Sequence, residues 1–208
     1  MRRWPVIVAP LGAVLLGLAG CTSPVQLGLA ETPIGTVGGT NPSSDALTVT
    51  FAPTVDLRPE YQRKGVGHVG GREVVAGELL GWIDRSLQSL HGHHFVARRE
   101  TTAATWRIVP RLRQFYTASL AVSKNANVVL ELEIQPPAAP PFTRVYRGRV
   151  NAMNWWNSSA EIEGAVVDSL GDCLAHIARD LDSLAPPDFT RPGTGRDGPS
   201  AKTAGLEP

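Results

Sequence analysis

Cysteine is almost missing from this chain: two occur in 208 residues, Cys21 and Cys173. A disulfide framework is therefore excluded as the source of its stability. A dominant charge is missing too. Lys and Arg number 20 against 19 Asp and Glu, and without Arg2 and Arg3 the comparison becomes 18 against 19. That balance does not suit a protein that lives on nucleic acid, so no nucleic-acid partner is expected. The sequence holds no HExxH, no nucleophile elbow and no paired acidic motif. It therefore reads as a non-enzyme, with no cofactor and no metal expected. It shows no internal repeat. What remains is a hydrophobic content of 42%, enough for one packed core.

The two cysteines have different surroundings. Ahead of Cys21, Arg2 and Arg3 form a short positive head, and Val6 to Ala19 is almost wholly apolar. This is the layout of a secretory signal peptide. As a spanning helix the run is poor, because about 20 apolar residues are needed and Pro10 interrupts it. Leu18-Ala19-Gly20-Cys21 resembles the lipobox of bacterial lipoproteins. The resemblance implies cleavage before Cys21, a diacylglycerol on its thiol and acylation of the new amino end. Anchoring by more than one acyl chain is stable, since each buried methylene adds about 0.8 kcal/mol. Thr22 stands where such lipoproteins retained in an inner membrane carry aspartate, so the resemblance implies the outer membrane, lipid-anchored on its periplasmic face. Cys173 is then left without an internal partner. It falls on the apolar side of a helical pattern, where a free cysteine behaves as a small hydrophobe.

Composition divides the rest. Residues 1–20 read as the cleaved leader and 21–45, rich in Gly, Pro, Ser and Thr, as a lipidated flexible tether. Residues 46–185, about 140 in number, have the size of a single domain. Residues 186–208 read as a disordered tail.

Within the domain, hydrophobic periods predict the elements. Leu47, Val49 and Phe51 alternate in a first strand that ends at Pro53, and a polar loop with a glycine cluster follows. From Glu73 to Leu90, Val75, Leu79, Trp82, Ile83, Leu87 and Leu90 recur at helical spacing, with Gly92 as the terminating glycine. His94–Ala97 reads as a short strand. Trp106, Ile108, Leu112, Tyr116, Ala118, Leu120 and Val122 share one parity of a long strand, opposite Arg107, Arg111 and Arg113, and Pro110 suggests an edge or a bulge. Residues 123–127 predict a turn. Val128 to Ile134 and Thr143 to Met153 predict two more strands. Finally, Ser158 with Glu161 forms a capping box ahead of Ile162, Val166, Leu170, Cys173, Leu174, Ile177, Leu181 and Leu184. The expectation is an α+β fold, a mainly antiparallel sheet of about five strands with two helices on one face.

Three stretches, "RQFYTASLAV", "KNANVVLELEI" and "VYRGRVNAMNWWNSSAEIEGAVVDSLGDCLAHIARDL", together with the order lipobox, tether, strand, helix, hairpin, strand and long helix, resemble the YajG-type family of small bacterial outer-membrane lipoproteins. The resemblance spans about residues 46–184. It implies a lipid-anchored envelope protein and brings no enzymatic activity or site residue with it.

Three further patterns invite a sharper reading. Gly65-Val66-Gly67-His68-Val69-Gly70 matches G-x-G-x-x-G, yet a polar loop and not a strand precedes it, and Asp84 falls inside the predicted helix. The glycines read as a flexible helix-entry loop rather than a nucleotide cradle. His91, His93 and His94 lie close together, with His68 elsewhere, but no Cys, Asp or Glu accompanies them at ligand spacing. Arg107, Arg111 and Arg113, with Trp155 and Trp156, are the candidate partner contacts. Those arginines could present a cationic face to phosphate or carboxylate; the favoured reading is cross-strand pairing with Glu131 and Glu133.

Two functional classes follow. One is a non-enzymatic binding or adaptor module, held to the membrane by its N-terminal lipid and contacting an envelope protein or peptidoglycan. The other is a periplasmic carrier of a small ligand, lipid or metal, as an auxiliary lipoprotein of a transport system. A carrier needs an interior cavity; an adaptor needs an exposed patch.

Overall fold

The computed structural model describes residues 23–29, 34, 42–44, 46–98, 105–119, 123–153 and 158–184. In chain order the elements are β1 (Val25–Leu27), β2 (Leu47–Phe51), β3 (Val55–Asp56), α1 (Glu60–Arg63), β4 (Gly67–Val69), β5 (Arg72–Ala76), α2 (Leu79–Gln88), β6 (Phe95–Ala97), β7 (Trp106–Ser119), β8 (Ser123–Gln135), β9 (Phe142–Met153) and α3 (Ser159–Leu184).

Strand β7 is the spine. One of its edges pairs antiparallel with β8 over almost its whole length, and β8 pairs antiparallel with β9. The other edge is shared in succession by three short parallel strands: β2 beside residues 106–108, β3 beside 111–112 and β4 beside 117–118. β6 extends the sheet beyond β2, and β5 then β1 extend it beyond β4. Among the described residues the result is one nine-stranded sheet with three helices, larger than the sheet of about five strands with two helices expected.

Four strands and one short helix were hidden from the periodicity, each for a local reason. β1 lies in the segment read as a flexible tether, yet Val25, Leu27 and Leu29 are buried, and a three-residue strand is too short to show a period. β3 and α1 span two and four residues of the polar loop. β4 and β5 occupy the glycine cluster and the start of the predicted helix. Gly70 and Gly71 both have positive φ, 58° and 75°, and close a two-residue hairpin whose twist suits antiparallel strands. The glycines thus serve a turn, not a helix-entry loop. Glu73 to Ala76 is consequently strand, favoured by the β-branched Val74 and Val75. Helix α2 starts only at Leu79, after Glu78 takes a left-handed backbone (φ 49°), and Ser89 rather than Gly92 caps its end.

The parity of β7 also changes midway. The register with β8 slips between Leu112 and Gln114, a β-bulge that inserts one residue. Ile108 and Leu112 face the core before it; after it the core side passes to Phe115 and Thr117, and Tyr116 turns outward. Tyr116 was expected inside. The turn expected at 123–127 is strand as well, part of β8.

Helix α3 matches its expected span. Ser158 Oγ accepts the Glu161 N–H at 3.2 Å, and Glu161 Oε2 accepts the Ser158 N–H at 3.3 Å, the two halves of the capping box. Its stripe from Ile162 to Leu181 joins Trp82, Ile83 and Leu87 of α2 and the inner faces of β7 and β8 in one core. α3 crosses β9 at Gly148, where a Cβ would lie 1.9 Å from the Ser169 carbonyl oxygen. Nearby, Asp172 accepts the Arg149 N–H at 3.1 Å, and His176 Nδ1 lies 3.1 Å from the Arg147 carbonyl oxygen. These side chains reach the backbone on the outer edge of β9.

Leu170 and Ile177 are wholly buried. Replacing either with alanine is expected to lower stability by about 2–5 kcal/mol, the range for a buried aliphatic that leaves a cavity. Exposed Arg179 on the same helix should tolerate alanine within about 0.5 kcal/mol. Urea melts of the three variants measure the difference; equal small shifts would show that the stripe is not core.

Candidate functional site: the open sheet face

Helices α2 and α3 cover the inner face, on which Leu130, Leu132 and Ile134 of β8 lie; the alternate residues face outward. The outer face begins with the sequence-predicted arginines. Arg111 Nη1 donates to Glu131 Oε1 at 3.2 Å, and its Nη2 donates to Glu133 Oε2. Arg113 binds Glu131 with two nitrogens, at 2.9 and 3.0 Å. Arg107 Nη1 lies 3.4 Å from Gln135 Oε1, a long contact at the end of the same row. Burial would raise the Glu131 carboxyl, but the hydrogen bonds from Arg113 and Arg111 outweigh it and hold its pKa below the usual value. The arginines are thus laced to their neighbours as cross-strand pairs.

Apolar side chains lie beside this lattice and, in the case of Met153, at the far end of β9 on the same face. Val145 and Met153 on β9 are 53% and 62% exposed, Tyr116 on β7 is 37% exposed, and Val55, beside Arg111 in register, is 45% exposed. Arg147 and Arg149 share the exposed parity of β9 with Val145. Where α1 and β4 meet β7, the surface sinks into a hollow of about 240 Å³. Trp155 and Trp156, and the lipidation residue Cys21, lie outside the described residues.

The other motifs resolve into structural roles. Asp84 accepts the N–H and the hydroxyl of Thr54, at 2.8 and 2.5 Å, and so pins the loop after β2 to α2. The rings of His93 and His94 meet edge to face at 4.5 Å, and the His94 N–H donates to Asp182 at 2.6 Å. Among the described residues, no three His, Cys, Asp or Glu side chains converge as a metal site, His91, His93 and His94 included.

Two polar features were missed by the sequence reading. Lys124, assigned there to a turn, points into the core: its side chain is 2% exposed and its ammonium lies 2.5 Å from Glu161. Its position two residues before Ala126 on the inward parity of β8 was the available signal. Tyr146 donates its hydroxyl to Asp180; burial first and that hydrogen bond second raise its pKa.

Cys173 is fully buried, and burial pushes its thiol up from 9.0 to about 12. It is a packing residue, unreactive at neutral pH. Below pH 9 neither folded nor unfolded chain ionises this thiol. Between pH 9 and about 12 only the unfolded chain releases the proton, so stability should fall as pH rises through that window. The loss has an upper slope of about 1.4 kcal/mol per pH unit. Urea melts at stepped alkaline pH test this, and Cys173→Val should flatten the slope; an unchanged slope in that variant would assign the alkaline loss to other groups.

No protein-family model matches the chain, and no curated protein matches it. Among solved structures, the fold is similar to that of a Xanthomonas campestris protein of the family DUF330, with a TM-score of 0.50 at 12% identity over 78% of this chain and 97% of that one. A second, uncharacterised protein matches with a TM-score of 0.47 at 10% identity, over 71% and 99% of the two chains. A hypothetical protein of Chlamydia trachomatis matches with a TM-score of 0.38 at 7% identity, over 66% and 94%. What the chain shares with the first of these is the fold of a bacterial protein.

Proposed function

We propose that this protein is a lipid-anchored lipoprotein of the bacterial cell envelope, held through Cys21 to the periplasmic face of the outer membrane, and that it works as a non-enzymatic adaptor. Its docking surface is the outer face of β7, β8 and β9. The observation that carries the reading is the composition of that face. Val55, Tyr116 and Val145 stand exposed beside an Arg–Glu lattice whose charges are already compensated, and Met153 lies exposed at the far end of β9 on the same face. A partner can cover these apolar side chains without leaving the neighbouring charges unpaired, since those already pair with one another. Trp155 and Trp156, which follow β9 closely in sequence, are proposed as further contacts. The inner side is filled: the close approach of α3 to Gly148 and the single continuous core favour an adaptor over a carrier.

A photo-crosslinking residue at Val145, in the full-length protein in cells, should capture a discrete envelope partner; the same residue at Asp168, on the exposed side of α3, should not. Equal yields from both positions would remove the face from the proposal. Membrane fractionation of Cys21→Ala tests the anchor separately: the variant should leave the outer-membrane fraction, and retention there with acylation intact would overturn lipidation at Cys21.

A further inference from the structure

We propose that the hollow beside β4 is a saccharide subsite that takes one uncharged sugar ring of a glycan chain. The inference goes beyond the adaptor reading and stands without it. The hollow holds about 240 Å³ and is lined by Tyr61, Gln62, His68, Glu73, Phe115 and Tyr116. Its shape comes from elements that periodicity did not reveal. The short helix α1 brings Tyr61, the Gly70–Gly71 hairpin sets His68 opposite Glu73 in register, and the bulge in β7 turns Tyr116 outward.

The chemistry narrows the ligand. Tyr61 is 77% exposed and Tyr116 37%, so two phenol rings offer an aromatic surface with polar ends. Gln62 Nε2 donates to the Tyr61 hydroxyl at 3.2 Å, which restrains that ring. An imidazole, a carboxylate and an amide share the lining with the rings. A pyranose matches this combination: C–H faces for the phenols, and hydroxyl or acetamido groups for Glu73, His68 and Gln62. An acyl chain would set methylenes against Glu73, His68 and Gln62 and leave their hydrogen-bonding groups without a ligand partner. A phosphate would meet the Glu73 carboxylate. A quaternary ammonium would favour aromatic faces beside a carboxylate, but the adjoining hollow, which shares Gly65, is lined by Arg58, Arg63 and Lys64 against Asp56 and Glu78, and this excess of one cation offsets the charge of Glu73. A neutral ligand is the one this field does not oppose.

The probe is the β-1,4-linked tetramer of N-acetylglucosamine, titrated at millimolar concentration into the full-length protein in detergent and followed by saturation-transfer NMR. Choline chloride and inorganic phosphate serve as competitors. The tetramer should bind. Tyr61→Ala and Glu73→Gln should each weaken it by roughly tenfold, the scale of one ring contact or one charged hydrogen bond. Their thermal midpoints should stay at the wild-type value, because both side chains are exposed. Binding that survives both substitutions would place the sugar elsewhere and overturn the site, and displacement by choline or phosphate would overturn the ligand class. Absence of tetramer binding would overturn the proposal while leaving the crosslink at Val145 intact, so this failure and that of the adaptor reading can be told apart.

Discussion

Glu161→Ala should unfold this protein more readily than any exposed substitution, lowering stability by about 3–5 kcal/mol. The reason is Lys124. Its side chain is 2% exposed and its ammonium lies 2.5 Å from Glu161 Oε2. Removing the carboxylate leaves a cation buried between β8 and α3 with its main counter-charge gone, and costs the helix the second half of its capping box. The effect of the partner should be unlike its mirror image. Lys124→Met keeps the stem in the core and removes the charge that required pairing, so it should cost much less, and Lys124→Met combined with Glu161→Ala should recover most of the loss. Urea denaturation of the two single variants and the double variant forms the cycle. A double variant as unstable as Glu161→Ala alone would show that the cap, and not the buried charge, dominates.

Gly148→Ala is expected to be comparably damaging, by a different route. A methyl group there would sit 1.9 Å from the Ser169 carbonyl oxygen and 2.6 Å from the Cys173 nitrogen. Both are backbone atoms of α3, so no side chain can rotate away, and the helix would have to lift from β9. Lifting it would open the core along the whole stripe, a loss beyond the usual 1–3 kcal/mol for overpacking. The control is a glycine on the helix itself. At Gly164 a Cβ meets nothing within 4 Å, so Gly164→Ala should stabilise by about 0.5–1 kcal/mol through helix propensity. Opposite signs from one chemical change, read in paired denaturant melts, would establish Gly148 as the helix–sheet contact point; a tolerated Gly148→Ala would disprove it.

What could be read in the chain depended on length and on isolation from tertiary constraint. α3 is 26 residues long with a consistent stripe and its own capping box, so its span and its buried side were legible. β9 and the part of β8 from Val128 onward were legible for the same reason, and the pairing of Arg111 and Arg113 with Glu131 and Glu133 followed from strand parity. The failures share a cause. β1, β3 and β4 have two or three residues each, below any period, and exist because β5 or β7 offers an edge to pair with. The bulge at Arg113 leaves no sign in local hydrophobicity, yet it reverses which side of β7 faces water. Tyr61 and Tyr116 therefore could not be brought together on paper. Their meeting depends on that reversal and on a four-residue helix.

The contacts from α3 to the rim of β9 bear on how copies of this protein behave beside one another. Among the described residues β9 pairs with β8 alone, so alternate residues of this 12-residue strand turn their main-chain donors and acceptors to its far side. Such a row is a template on which another extended chain can assemble. Asp172 already occupies the Arg149 N–H, and His176 stands against the Arg147 carbonyl at the middle of the row. An incoming strand would have to displace both and push past the helix that carries them. Under the proposed anchoring, copies diffuse in a plane, where encounters are far more frequent than in free solution. The long helix then does more than close the core: it keeps a crowded population from zipping together edge to edge, and leaves the face as the side open to company.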